Sequence, residues 1–176
     1  MIAGAWILER SSPRQTRFYL RSADRSLDFG RIVGGGPLWH GCLGSLYSAC
    51  FYAVMALLQT EKISAPDHHA AKALFEERFL DEGRFPEALA AVYRELYDAG
   101  LFVTYKNNFL SEQGETAEWI ARAEEFVRRV QELAESSCEE VKGWESERVE
   151  RPARSPADEK FWSDFRAMVE RLRAQV

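Results

Sequence analysis

The chain has 176 residues, a formal net charge of −5, and 46% hydrophobic with 12% aromatic residues. That length suits one domain with a real core, and the apolar content excludes a disordered chain. The acidic balance excludes a surface coated with basic groups for nucleic acid, while leaving a local basic face open.

The pattern predicts helices throughout, with no strand and no internal repeat. Ser12-Pro13 reads as a helix start, Ser capping and Pro in the first helical position. This first helix is expected to run to about Ile32 and to stop at Gly34-Gly35-Gly36-Pro37. A second is expected from about Leu38 to Lys62. Its stretch from Leu46 to Leu58 holds no charge, Gly or Pro, so no face of it belongs in water. Thirteen residues are too few to span a bilayer, which predicts the central helix of a bundle. Ser64-Ala65-Pro66-Asp67 opens a third helix with Ala70, Leu74, Phe75 and Phe79 at helical spacing, closed by Gly83. Pro86 opens a fourth that carries Leu89, Val92, Tyr93, Leu96 and Tyr97 and weakens near Gly100. After a loop at Asn107 to Gly114, a fifth runs from about Glu115 to Val141. There Trp119, Ile120, Ala123, Phe126, Val127, Val130 and Leu133 recur at three and four. Residues 142–154 read as a charged linker, and 155–176 as a last helix with Phe161, Trp162, Phe165, Met168, Val169 and Leu172 on one side. An apolar side of that size has to pack on its own bundle, on a second copy or on a partner.

Cys42, Cys50 and Cys138 form no CxxC and leave one thiol over in any disulfide scheme, which fits a reducing cytoplasm. Cys42 and Cys50 read as small core residues. The patch from Ile2 to Leu8 is too short for a signal-peptide core and has no basic leader, so neither a secretion signal nor a membrane segment is expected.

The candidate chemistry begins with arginine. Arg10, Arg14, Arg17, Arg21 and Arg25 form a stripe along the first helix, with Thr16, Tyr19, Leu20, Ala23 and Leu27 roughly opposite. Such a stripe suits phosphate or RNA contact through bidentate guanidinium groups, or a solvated face paired with glutamates. His68 and His69 are neighbours, so on a helix they point about 100° apart and do not share a metal as an i,i+4 pair would. For His68, capping or packing is the first reading and catalysis the second. The glycine run is followed by no Lys-Ser/Thr and preceded by no strand, so it is a turn and not a phosphate loop. No cofactor and no metal are expected.

The stretch from about Arg14 to Leu133 resembles the HEPN superfamily of small helical bundles, in the branch found beside minimal nucleotidyltransferases. The resemblance rests on Ser48, Phe51, Tyr52, Ala53 and Ala56-Leu57-Leu58, then Ser64, Pro66 and His68, then Leu74, Phe75 and Phe79. Gly83-Arg84-Phe85-Pro86 and the Ala123 to Val127 helix complete it. It implies an all-α, up-and-down bundle of four to five helices (residues 1–141) with an extra C-terminal helix. It also implies a component of a two-component toxin–antitoxin or defence module. Such a protein would act by binding RNA, a nucleotide or a nucleotidyltransferase partner, as a homodimer away from membranes.

Two departures from the family pattern bear on chemistry. That branch places an Arg about four residues before an Asp-Tyr pair; here those positions fall on Gly100 and Thr104-Tyr105. Ribonuclease members carry Arg, four to six residues, then His, and no Arg stands at that distance before His40, His68 or His69. Cleavage of RNA by that route needs a cation for the phosphate and an imidazole for the proton. The catalytic motif therefore reads as degenerate, with Arg94 and His68 as weak candidates for an endoribonuclease of metal-independent type. A module for protein–protein contact alone is a further alternative. Tyr105, Lys106 and Asn107, beside the degenerate motif, are the candidate ligand-binding residues.

Overall fold

A computed structural model describes the backbone of residues 6–7, 13–35, 40–103 and 115–138, together with positions 164, 167, 168 and 171. The linker 142–154, Tyr105, Lys106, Asn107, Arg10 and most of 155–176 lie outside the described residues.

Among the described residues five α-helices make the bundle: α1 Pro13–Gly34, α2 His40–Thr60, α3 His68–Phe75, α4 Glu87–Val103 and α5 Thr116–Ser137. Helix α1 is amphipathic as its spacing predicts. Thr16, Leu20, Ala23, Leu27, Gly30 and Val33 are buried along one side. Gly30 and Gly34 let α2 come close: a Cβ on Gly30 would lie 2.9 Å from Leu46 Cδ2, and one on Gly34 would lie 3.0 Å from Cys42 Sγ. These pairs, with Tyr19 stacked near Tyr52, make α1 and α2 antiparallel.

Helix α2 sits at the centre, packed against α1, α3, α4 and α5. From Ala53 to Gln59 every residue is buried, so hydrophobic burial is nearly complete on all sides there. Its N-terminal half differs from the all-round burial the composition predicts. Gly44, Ser45, Tyr47, Ser48, Phe51 and Tyr52 are only half-buried, because one side faces the N-terminus of α3 and open solvent. The Ser45 and Ser48 hydroxyls donate to the carbonyls of Gly41 and Gly44, which satisfies them within the helix. By length and hydropathy the 20 residues Gly41–Thr60 could cross a membrane, and here the bundle buries most of them.

Helix α3 is capped by Asp67, whose carboxylate accepts from the Ala70 amide at 2.8 Å. Ser64 does not cap it. Ser64 belongs instead to a short antiparallel ladder, Trp6–Ile7 with Ile63–Ser64, two residues a side and too short for any periodicity to signal. After Phe75 the helix widens into one π-turn, Glu76–Leu80, and Gly83 closes the corner at φ 68°, where a side chain would be strained. The Pro86 carbonyl then accepts from the Leu89 and Ala90 amides to start α4. Helix α5 begins where α1 ends: the buried Thr116 hydroxyl donates to the Gly34 carbonyl at 3.2 Å. It runs antiparallel to α1, with Glu124 on Arg31 and Gln131 on Asp24. The rings of Phe75, Phe85, Tyr93 and Phe126 meet between α3, α4 and α5, with centroids 5.2 to 6.0 Å apart.

Candidate functional site

Two regions carry the polar chemistry. The first lies where α2, the start of α3 and α4 converge. Asp67 fixes the first turn of α3, and this sets His68 against α2 and His69 against α4. His68 stacks flat on Phe51 at 4.0 Å, and its Nδ1 lies 2.5 Å from the Tyr47 hydroxyl. His69 Nδ1 lies 3.5 Å from the Tyr97 hydroxyl. One turn on, Lys72 Nζ stands 5.4 Å from the Tyr97 ring centroid and 3.4 Å from Glu76. The adjacent histidines thus serve different partners. Among the described residues no group of three or more His, Cys, Asp or Glu is arranged to hold a metal.

Beneath this surface lies Tyr93, parallel to Tyr47 at 6.3 Å and 1% exposed. Its hydroxyl has no hydrogen-bond partner among the described residues. Burial, the largest cause, pushes the phenols of Tyr47 and Tyr93 well above the ordinary tyrosine range. Burial likewise raises the Cys42 thiol to about 11 and the Cys50 thiol further still, so both are inert core groups, as their spacing predicts.

Arg94, the cation paired with His68 in the ribonuclease alternative, is tied down on α4. Its Nε donates to Glu76 at 2.7 Å and a terminal nitrogen to Glu87. Those two bonds, the one to Glu87 first, raise its pKa and hold the guanidinium charged. The fork is engaged by two carboxylates of its own chain. Tyr47, Lys72, Glu76 and Glu87 were not among the residues singled out by sequence, although Tyr47 stands four residues before Phe51 on one helix face.

The second region is the outer side of α1. Arg14, Arg21 and Arg25 are exposed and Arg17 is half-buried. Of the acids of α1, Asp24 accepts from Gln131 of α5 at 2.9 Å, while Asp28 pairs within the helix with Arg31 at 2.7 Å, which itself donates to Glu124 of α5. Arg25 lines a shallow groove with Ser26 and Phe29 of α1 and Gly41, Gly44, Ser45 and Ser48 of α2. Neither Gly41 nor Gly44 would bring a Cβ within 4 Å of anything, so backbone is open along that groove. Phe18, Phe29 and Ile32 are exposed on the same side of α1.

Comparison with known proteins agrees with this architecture. The model of the HEPN domain matches residues 14–133. A curated protein of Thermotoga maritima, described as a UPF0332 protein, is 25% identical over 118 residues, covering 67% of this chain and 89% of that protein.

Proposed function

We propose, from the premise that this chain belongs to the HEPN domain family, that it works by binding rather than by cleaving RNA. It is one half of a two-component toxin–antitoxin or defence module in the cytoplasm, the other half being a nucleotidyltransferase-type protein. The observation that carries this reading is the state of Arg94 and His68. Arg94 is held between Glu76 and Glu87, and His68 is held by Tyr47 and Phe51. A cation neutralised by two carboxylates is poorly placed to stabilise a phosphorane-like charge. The exposed guanidinium groups of Arg21 and Arg25 lie instead on the outer side of α1, Arg25 beside the shallow groove against α2, which suits phosphate contact without chemistry. In this reading Tyr105, Lys106 and Asn107 contribute to the ligand pocket, and the protein acts as a homodimer.

The test is incubation of the purified protein with end-labelled RNA, alongside Arg94→Ala and His68→Ala. Bound, intact RNA in all three is the expected result. Cleavage by the parent protein that disappears in both variants would establish the ribonuclease alternative and overturn the binding reading.

A further inference from the structure

The groove where α1 crosses α2 changes chemistry along its length. Gly30 against Leu46 and Gly34 against Cys42 fix the two helices antiparallel, so Arg25 stands at the Ser48 end and Phe29 lies toward Ser45 and Gly44. The groove offers about 360 Å³, the lower end of the range for small-molecule sites. Among the described residues its lining holds one guanidinium and no carboxylate. Phe29 is 43% exposed, so its ring has a face open to a ligand. Ser45 and Ser48 donate their only hydroxyl protons to the Gly41 and Gly44 carbonyls, so toward a ligand their oxygens are acceptors. A Cβ on Gly44 would meet nothing within 4 Å, so a flat ring can approach the backbone there. The same side of α1 carries Phe18, 60% exposed, with Arg21 between the two rings. At about 100° per residue Phe18, Arg21, Arg25 and Phe29 fall within an arc of about 80°.

We propose that this groove is a nucleotide site for single-stranded RNA: an unpaired base stacks on Phe29, its phosphate rests on Arg25, and its ribose hydroxyl donates to Ser45 or Ser48. This site rests on the phosphate-contact reading of Arg25 and names the nucleic acid that is taken. Three features of the groove select that ligand. A base plane covers the exposed Phe29 ring, which an inorganic anion leaves in water. A base inside a duplex has its faces stacked and its edge paired, so only an unpaired base reaches into the groove. The serine oxygens call for donors, and the ribose 2′-hydroxyl is a donor that DNA lacks. A strand continuing along α1 meets Arg21 with a second phosphate and Phe18 with a second base, about 16 Å of helix from Phe29. Phosphate alone accounts for the arginines. The aromatic ring and the acceptors beside them match the rest of a nucleotide.

Fluorescence anisotropy at one salt concentration tests this with three labelled probes: oligoadenylate RNA, the same sequence as DNA, and that RNA paired with its complement. The parent is expected to bind the single-stranded RNA about tenfold more tightly than the duplex, and more tightly than the DNA. Phe29→Leu keeps an apolar side chain without the aromatic plane, and Gly44→Leu fills the groove from a position where the fold has room. Each is expected to weaken single-stranded RNA about tenfold. Duplex affinity and the salt slope stay unchanged in both, because no charge is removed. Ser45→Ala with Ser48→Ala is expected to bring RNA down to the level of DNA. Circular dichroism checks that every variant keeps the parent's helical content. Equal affinity for single strand and duplex, both weakened by Arg21→Ala with Arg25→Ala, would overturn the nucleotide site and leave the phosphate contact standing. Unchanged RNA binding in both Phe29→Leu and Gly44→Leu would overturn it as well. Binding of none of the probes would overturn the phosphate contact and the nucleotide site together.

Discussion

The Tyr47 hydroxyl stands 2.5 Å from Nδ1 of His68, and joins the outer half of α2 to the first residue of α3. The same imidazole lies flat on Phe51, so one side chain provides a polar and an aromatic link across the junction. Asp67, by capping α3, points the first turn at this place.

Replacing His68 should therefore weaken the α2–α3 junction. His68→Ala is expected to cost about 1 kcal/mol, the sum of a modest hydrogen bond and a partly exposed ring stack. His68→Phe keeps the stack and loses only the hydrogen bond, so it should recover about half of that. Urea unfolding of the three proteins checks the order. Two variants as stable as the parent would mean that the junction is held by other contacts.

Much of the fold was legible because hydrophobic spacing and breakers coincide. Leu20, Ala23 and Leu27 on α1, and Ala123, Phe126, Val127 and Val130 on α5, are buried where the three–four repeat places them. Less was legible in the site. A hydrogen bond such as Tyr47 to His68 joins residues 21 apart and depends on the angle between two helices, which periodicity does not encode. The π-turn at Glu76–Leu80 has the same composition as ordinary helix, and it is tertiary packing of Phe75 and Phe79 that accompanies it. Arg94 looked available because Glu76 and Glu87 lie eighteen and seven residues away, and only the fold brings both carboxylates to it.

Tyr93 offers a substitution in the opposite direction. Its ring fills the core between Tyr47, Phe75 and Phe126, while its hydroxyl is buried with no hydrogen-bond partner among the described residues. Tyr93→Phe keeps the ring and removes the desolvated oxygen, so it should stabilise the protein by about 1 kcal/mol. Tyr93→Ala empties the site and should cost about 3–5 kcal/mol. A lower stability for Tyr93→Phe would show that the hydroxyl is satisfied, for example by a water.

Glycine at the α1–α2 crossing should separate a flexible neighbour from a fixed one. A Cβ on Gly30 meets the far end of Leu46, 2.9 Å away, which can rotate aside. Gly30→Ala should then be close to neutral, the helix propensity gain of about 1 kcal/mol offsetting the repacking. Gly34 faces Cys42 Sγ and Ile120 Cδ1, both at 3.0 Å, at the end of α1 where α2 and α5 both press in. Gly34→Val should cost about 1–3 kcal/mol through overpacking. Thermal melts of both variants check this, and a Gly34→Val variant as stable as the parent would refute the close approach.

Alkaline pH should act through the buried weak acids. Burial holds Cys42 up at about 11, and Cys50, Tyr47 and Tyr93 higher, while the unfolded chain releases the same protons from about pH 8.5 for Cys and about 10 for Tyr. Above those values the folded state holds more protons than the unfolded one, so the slope of stability with pH is negative. These groups leave stability intact below about pH 8.5 and erode it progressively as pH rises toward the folded values. Urea midpoints from pH 8 to about 10.5 should fall, and Cys42→Ala should flatten the first part of that fall. A flat profile would mean that these groups reach water in the native state.

The two arginine sets should separate under salt. Each guanidinium that neutralises a phosphate releases counterions and adds about 0.7 to the log–log salt slope for single-stranded nucleic acid. Arg21 and Arg25 are exposed on the outer side of α1, while Asp24 of that helix is turned to Gln131 of α5. Arg94 already has Glu76 and Glu87 as partners, and its loss frees two carboxylates rather than a phosphate site. If the stripe contacts RNA, Arg21→Ala with Arg25→Ala should lower the salt slope of RNA binding by about 1.4, as two phosphate contacts require. Arg94→Ala should leave the slope unchanged and cost stability by under about 1 kcal/mol, since its pairs are partly exposed. Fluorescence anisotropy across a salt series measures all three. A slope unaffected by the double change, but reduced by Arg94→Ala, would move the phosphate contact from α1 to α4.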